Sequence, residues 1–291
     1  MGATTCKNCG TNFAGNFCPN CGQKATVGRI TLRKSIKEAA DNFFNLNRGL
    51  LPTVRDLLIR PGSMLSGYLD GKRKRYLHPV RMILAVLAVS YLIFFVLIPD
   101  GWMMQVQTST DDPEAAAFAQ KFGEFFSDQM SKNYTLYTLS SLPFLAIWYR
   151  IFFRKNGYNS GEYITVLTYV TGIVTILPAP FLPLIYAGVF STTQYLYLNL
   201  AITLGYSVYA LTAWLRPKRK LWGLIKVTIA YLFGYISWIL VFATAMFFVG
   251  LKQGVYSLED FAPKQTIPAV DSVGMGDTTR LQLDSLPAEG H

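Results

Sequence analysis

Asn45–Arg81, NLNRGLLPTVRDLLIRPGSMLSGYLDGKRKRYLHPVR, joins a cysteine-rich amino-terminal stretch to a long apolar remainder. Leu51, Val54, Leu57 and Leu58 recur at helical spacing, which predicts a helix from about Leu50 to Ile59 that Pro61-Gly62 ends. A second short helix follows over Ser63–Leu69, closed by Asp70-Gly71. Upstream, Leu32, Ile36, Ala39, Ala40, Phe43 and Phe44 oppose Arg33, Lys34 and Lys37, so Thr31–Asn47 also reads as an amphipathic helix. Arg48, Arg55 and Arg60 give the region a cationic face, and the run Lys72, Arg73, Lys74, Arg75 closes it. Such helices suit the cytoplasmic interface of a membrane, with these seven basic residues as the candidate contacts to lipid or a partner. Packing on one another as a small cytoplasmic core is the alternative.

The chain of 291 residues is 51% hydrophobic and only 15% charged, too apolar for an ordinary soluble domain. A net charge of +10 invites a nucleic-acid reading, so its distribution decides. Residues 24–81 carry +9, from thirteen Lys/Arg against Glu38, Asp41, Asp56 and Asp70. Residues 100–133 carry −4, residues 149–162 carry +2, residues 214–226 carry +5 and residues 252–291 carry −3. The sign alternates across successive apolar runs, which is the pattern of a polytopic membrane protein with its basic loops inside.

All four cysteines fall in Cys6-Lys7-Asn8-Cys9-Gly10 and Cys18-Pro19-Asn20-Cys21-Gly22. Two CxxC pairs supply four thiolates, enough to close a tetrahedral zinc site, and a glycine after each pair lets the turn tighten around the sulfur. A mini zinc ribbon is expected over residues 1–24, with a small hairpin through Phe13 and Phe17 between the knuckles. A closed site of four thiolates is structural and supplies most of the folding free energy of so small a module. A redox dithiol would need a βαβ context that this segment has no room for. Nothing before Cys6 resembles a secretory signal, so the amino terminus is expected in the reducing cytoplasm, where structural disulfides are rare.

Asn47-Arg48-Gly49-Leu50-Leu51, Thr53, Arg55-Asp56-Leu57-Leu58, Arg60-Pro61-Gly62, Tyr68-Leu69, Gly71-Lys72-Arg73, Tyr76, Pro79 and Arg81 together resemble the signature block of an uncharacterised bacterial membrane-protein family, a domain of unknown function whose members often carry a zinc ribbon ahead of it. The resemblance covers about the first third of the chain. It implies a bacterial inner-membrane protein and carries no activity across.

The apolar remainder divides into segments at about Val80–Ile98, Thr135–Phe153, Tyr163 onward, Tyr195–Leu215 and Val227–Gly250. Arg81 can snorkel back to the inner interface. The third segment meets Pro178, Pro180 and Pro183, so it either ends there or breaks and continues as a half-helix to about Phe190. Between the first two, Pro113–Met130 carries Phe118, Phe122, Phe125 and Met130 as one apolar stripe of an external helix. The acidic tail of residues 251–291 reads as disordered. The fold expected is therefore an all-α polytopic bundle of about five transmembrane helices, amino terminus inside and carboxyl terminus outside, behind a zinc ribbon and cytoplasmic amphipathic helices over residues 29–79. This arrangement puts 22 of 27 Lys/Arg inside and 12 of 17 Asp/Glu outside.

No Asp, Glu, Lys, Arg or His lies inside the last three segments, which argues against an ion-coupled pump. With every cysteine given to zinc and His78 at a basic boundary, no nucleophile and base are left to pair, and the chain reads as non-enzymatic. Small residues four apart, Ala201/Gly205 and Ala230/Gly234, read as close helix contacts. The leading function is a membrane scaffold or sensor that docks anionic lipid or a protein partner. A small-solute carrier or channel is the alternative, and a cavity at the proline break would favour it. A membrane-tethered nucleic-acid binder ranks last, because positive-inside topology already accounts for the charge.

Overall fold

Ser160–Ile176 is the helix around which the others gather, and its sequence accounts for that. It is apolar on every side, and twelve of its residues, Glu162, Tyr163 and the run Thr165 to Val174, are buried. Two of its threonines return their hydroxyls to the backbone, Thr168 to the Ile164 carbonyl at 2.7 Å and Thr175 to that of Thr171 at 2.8 Å, so these two enter the bundle without unpaired hydroxyls. A capping box starts it: Asn159 Oδ1 accepts the Glu162 N–H at 2.9 Å, and Glu162 accepts the Asn159 N–H at 2.8 Å. The prolines end it.

The computed structural model describes residues 3–31, 49–97 and 113–256. Two short strands, β1 (Thr4–Thr5) and β2 (Asn12–Phe13), pair antiparallel, with Thr4 opposite Phe13. The helices are α1 (Leu50–Ile59), α2 (Pro61–Leu69), α3 (Pro79–Leu97), α4 (Pro113–Lys132), α5 (Tyr134–Phe152), α6 (Ser160–Ile176), the single turn α7 (Pro183–Tyr186), α8 (Thr192–Leu215) and α9 (Lys220–Lys252). The expected helix at Thr31–Asn47, the residue Arg48 and the tail beyond residue 256 lie outside the described residues.

Helix α6 contacts α1, α3, α5 and α8, and α9 closes the bundle against α5 and α8. Side-chain pairings give the directions. Tyr149 donates to the Val227 carbonyl at 3.0 Å, Gly234 faces Leu145, and Trp238 donates to Ser140 at 2.9 Å, so α5 and α9 run antiparallel. Tyr169 donates to the Leu77 carbonyl and Gly172 faces Met82, so α3 runs alongside α6 in the same direction. The basic connections all meet at one end. There Lys226 lies over the Phe153 ring and Tyr158 packs on Trp214.

Among the described residues, three helical stretches are long and apolar enough to cross a membrane: Ser160–Ile185, Thr193–Leu215 and Lys220–Lys252. Pro79–Ile93 is apolar but shorter, and α5 is diluted by Thr135, Tyr137, Thr138, Ser140, Ser141 and Arg150. At the proline break the chain leaves α6, makes a 3-10 turn over Ala179–Phe181 and then the single turn α7. The break is therefore a folded turn and not a second full helix.

The helices of Asn45–Arg81 do not form a separate layer. Helix α1 ends just before Pro61 as expected, and Pro61 also begins α2, two residues ahead of the expected Ser63, as its fixed φ and missing N–H suit the first helical position. Leu57, Met64, Leu65 and Tyr68 then join one continuous core with Tyr163, Tyr169, Ala210, Trp214 and Ala230. Tyr206 donates to the Leu57 carbonyl at 3.0 Å. It lies nine residues before the end of α8, about 14 Å along the helix axis, so the α1–α2 hairpin is wedged well into the bundle from its basic end.

Small residues set the closest approaches. Ala230 and Gly234 lie against α5 as their spacing predicts, whereas Gly205 has nothing within 4 Å. The tightest crossing falls at Gly62, where a Cβ would stand 2.2 Å from the Ala213 carbonyl oxygen. Gly62→Ala should therefore push α2 off α8 and cost about 1–3 kcal/mol of stability, while Gly205→Ala should be neutral or slightly stabilising. Thermal unfolding of the two purified variants in one detergent checks the difference.

Candidate metal centre and the basic collar

The two cysteine knuckles fold alike. Cys6 N–H donates to the Thr11 carbonyl at 2.9 Å and Gly10 N–H to the Cys6 carbonyl at 2.9 Å; Cys18 N–H donates to Gln23 and Gly22 N–H to Cys18, each at 2.8 Å. Gly10 and Gly22 both take positive φ, 79° and 70°, which closes each loop. Phe13 packs with Cys6 and Cys18 in a core of their own, while Phe17 is exposed.

The four Sγ atoms lie within 4.8 Å of one another. Cys6 and Cys21 stand 3.6 Å apart and Cys9 and Cys18 3.5 Å apart. Thiolates about 2.3 Å from one tetrahedral ion would stand about 3.8 Å from each other, so the donor set fits a bound metal. Hydrogen bonding from Thr11, whose hydroxyl is 3.3 Å from Cys9 Sγ, holds that thiol down to about 6, whereas burial lifts Cys21 to about 11. A shared cation would take both as thiolates.

The knuckles are clamped to the helices. Gln23, buried, donates to the Gly71 carbonyl at 2.8 Å and accepts the N–H groups of Arg73 and Lys74 at 3.3 Å each. Gly71 has φ 113°, and a Cβ there would press on Lys7 and Val27, so this docking requires glycine. Farther along, Arg29 grips Glu162 through both carboxylate oxygens, at 2.9 and 2.8 Å, and donates to the Gly157 carbonyl at 2.7 Å. Glu162 thus caps α6 and anchors the amino-terminal module at once. Ile30 follows into the main core.

The seven basic residues singled out in the sequence separate into groups. Arg73 donates to the Gly28 carbonyl at 2.8 Å and lies over the Tyr68 ring. Arg75 pairs with Asp56 at 3.1 Å and lies over Tyr76. Arg55, Arg60, Lys72 and Lys74 are exposed, and Arg48 is not among the described residues. On α1, Leu51, Leu58 and Ile59 are also exposed, beside Arg55 and Arg60. Gln23, Arg29 and Glu162 are absent from the sequence reading. The Asn159/Glu162 spacing of a capping box was a usable sign for the last of them; nothing local marks Gln23.

A second network holds the block together. Thr53, fully buried, accepts the Leu77 N–H at 2.8 Å and donates to the Gly49 carbonyl, and Tyr76 donates to Asp56 at 3.0 Å. A family model described as a protein of unknown function (DUF3667) matches residues 47–91. That match spans α1, α2, the basic loop and the first turns of α3, and so contains this network whole. No curated protein and no solved structure matches the chain.

The purified protein should bind one metal ion per chain, and Cys9→Ser should release it and expose the amino-terminal module to protease while the bundle stays folded. Metal analysis beside limited proteolysis checks both; an intact, protease-resistant module without metal would contradict the site.

Proposed function

We propose that the chain is a non-enzymatic scaffold of the bacterial inner membrane, whose cytoplasmic end docks on anionic lipid. Zinc is the ion we assign to the four cysteines, because an all-thiolate tetrahedral set suits it. Five crossings, α3, α5, α6, α8 and α9, give the reading its topology, with the amino terminus inside and the carboxyl terminus outside. The helix directions support it, since the basic connections gather at one end. A protein partner on the zinc module is compatible with this arrangement; a nucleic-acid partner is not needed to account for the charge.

The observation that carries the proposal is the outer face of α1, where Leu51, Leu58 and Ile59 stay exposed beside Arg55 and Arg60 although Thr53 and Leu57 on the inner side are fully buried. A helix held rigidly by its inner face, with leucine and arginine turned outward at the cytoplasmic end of a bundle, suits the boundary between acyl chains and acidic head groups. The free charges Lys72 and Lys74 extend the same surface. Arg73 acts differently, as an internal fastener, and Arg75, though exposed, is paired with Asp56.

Reporter fusions at Asp128 and after Asp260 should report outside, and fusions after Arg154 and Lys220 inside; an inside signal from the tail would break the five-crossing topology. For lipid, the full-length protein in micelles should retain phosphatidylglycerol over phosphatidylcholine. Arg55→Gln with Arg60→Gln should weaken that preference by up to about 1 kcal/mol per charge, most clearly at low salt, with no change in melting temperature. Arg73→Gln should instead lower the melting temperature. Unchanged lipid preference in the double variant would remove the lipid-docking function.

A further inference from the structure

The proline break borders a cavity. Where α6 gives way to the turn through Ala179 and Leu182, the end of the bundle away from the zinc module encloses about 430 Å³, a volume typical of small-ligand sites. Its walls come from α3, α4, α5, α6, α8 and the middle of α9, with Ala179 and Leu182 of the turn also in the lining.

Aromatic faces and hydroxyls dominate the lining. The Trp238 ring stands edge-on to Tyr137, 4.3 Å between centroids, and nearly perpendicular to Tyr235 at 5.9 Å, so three rings meet at one corner. Thr138, Thr171 and Asn199 present polar groups to the same space. No Asp, Glu, Lys, Arg or His is among the described lining residues. A phosphate or carboxylate inside would lose its hydration with no cation to replace it.

Of the described lining residues only Leu196 and Leu200, neighbours on one face of α8, are exposed, at 57% and 63%. In a chain that crosses the bilayer as proposed above, on which this inference rests, those leucines face acyl chains.

We propose that the cavity binds the uncharged, hydroxyl-bearing head of a lipid, of the glycosyl diacylglycerol class, which enters sideways past Leu196 and Leu200. Aromatic faces stack on the apolar side of a sugar ring, and tyrosine, threonine and asparagine groups exchange hydrogen bonds with its hydroxyls. The acyl chains stay outside along α8. A carrier of water-soluble solutes would also use a broken helix, but a mouth that opens into the bilayer selects an amphiphile.

The test uses full-length protein in detergent micelles, titrated separately with glucosyl dioleoylglycerol, dioleoyl phosphatidylglycerol and methyl glucoside, with bound ligand read by native mass spectrometry. Saturable retention of the glucosyl lipid is expected, abolished by Thr171→Phe, which fills the cavity, while phosphatidylglycerol retention at the other end persists. Tyr137→Phe, which removes one hydroxyl and leaves the ring, should weaken the glucosyl lipid about fivefold at an unchanged melting temperature. Failure to retain it, or equal retention by both variants, overturns the site. Saturation by methyl glucoside without the lipid overturns the lipid assignment. The reporter fusions separate the outcomes: correct topology without retention removes this site alone, whereas wrong topology removes the bilayer mouth as well.

Discussion

Buried backbone carbonyls need donors, and in this bundle tyrosine hydroxyls supply them. Tyr206 donates to Leu57, Tyr169 to Leu77, Tyr163 to Phe153 and Tyr149 to Val227. Three of these carbonyls belong to helix ends or connections, where helical pairing runs out; that of Phe153 also accepts the Asn156 N–H at 2.9 Å. A connection can sit deep in an apolar core only if such groups are paired, since each unpaired one would cost several kcal/mol away from water. Tyrosine suits the task because its ring fills core volume and its hydroxyl reaches past it. The wedge of α1 and α2 depends on this device, because Leu57 and Leu77 bracket it.

Rigidity at the basic end follows from the same economy of polar groups. Glu162 accepts the N–H of Asn159, the residue that caps α6, and its carboxylate, nearly buried, is then matched by two nitrogens of the Arg29 fork. Breaking the pair on one side would strand a charge at the start of the central helix. The cysteine module is thus fixed to α6 through Arg29 and to the loop before α3 through Gln23. Two independent attachments leave it little freedom to swing.

Helix positions were legible in the sequence wherever apolar periodicity met a proline or glycine signal: α1 falls at Leu50–Ile59 and α4 begins at Pro113 as read. The cysteine cluster was legible from spacing alone. The burial of α1 and α2 was not, because an amphipathic face shows that something covers it without showing what does. Helix α1 also has two apolar surfaces: Leu57 points into the core, while Leu51 and Leu58, grouped with it by periodicity, point out. Gly62 escaped for a related reason. Beside Pro61 it reads as a turn, and only the position of Ala213, some 150 residues later in the chain, makes it a helix crossing.

The residues matched by the family model therefore have their partners elsewhere. Thr53, Asp56, Tyr76 and Leu77 hold the block together internally, yet Leu57, Gly62 and Leu77 meet Tyr206, Ala213 and Tyr169, all beyond residue 91. A self-braced wedge with a glycine contact face can seat between helices of varied sequence, provided they offer a small residue at the crossing and a hydroxyl at each buried carbonyl. Strong sequence constraint then falls on the wedge, where turns, caps and a buried threonine leave few substitutes. The receiving helices need only supply volume and a few donors, which many apolar sequences can do. This asymmetry gives a physical reason for residues 47–91 to form a recognisable block.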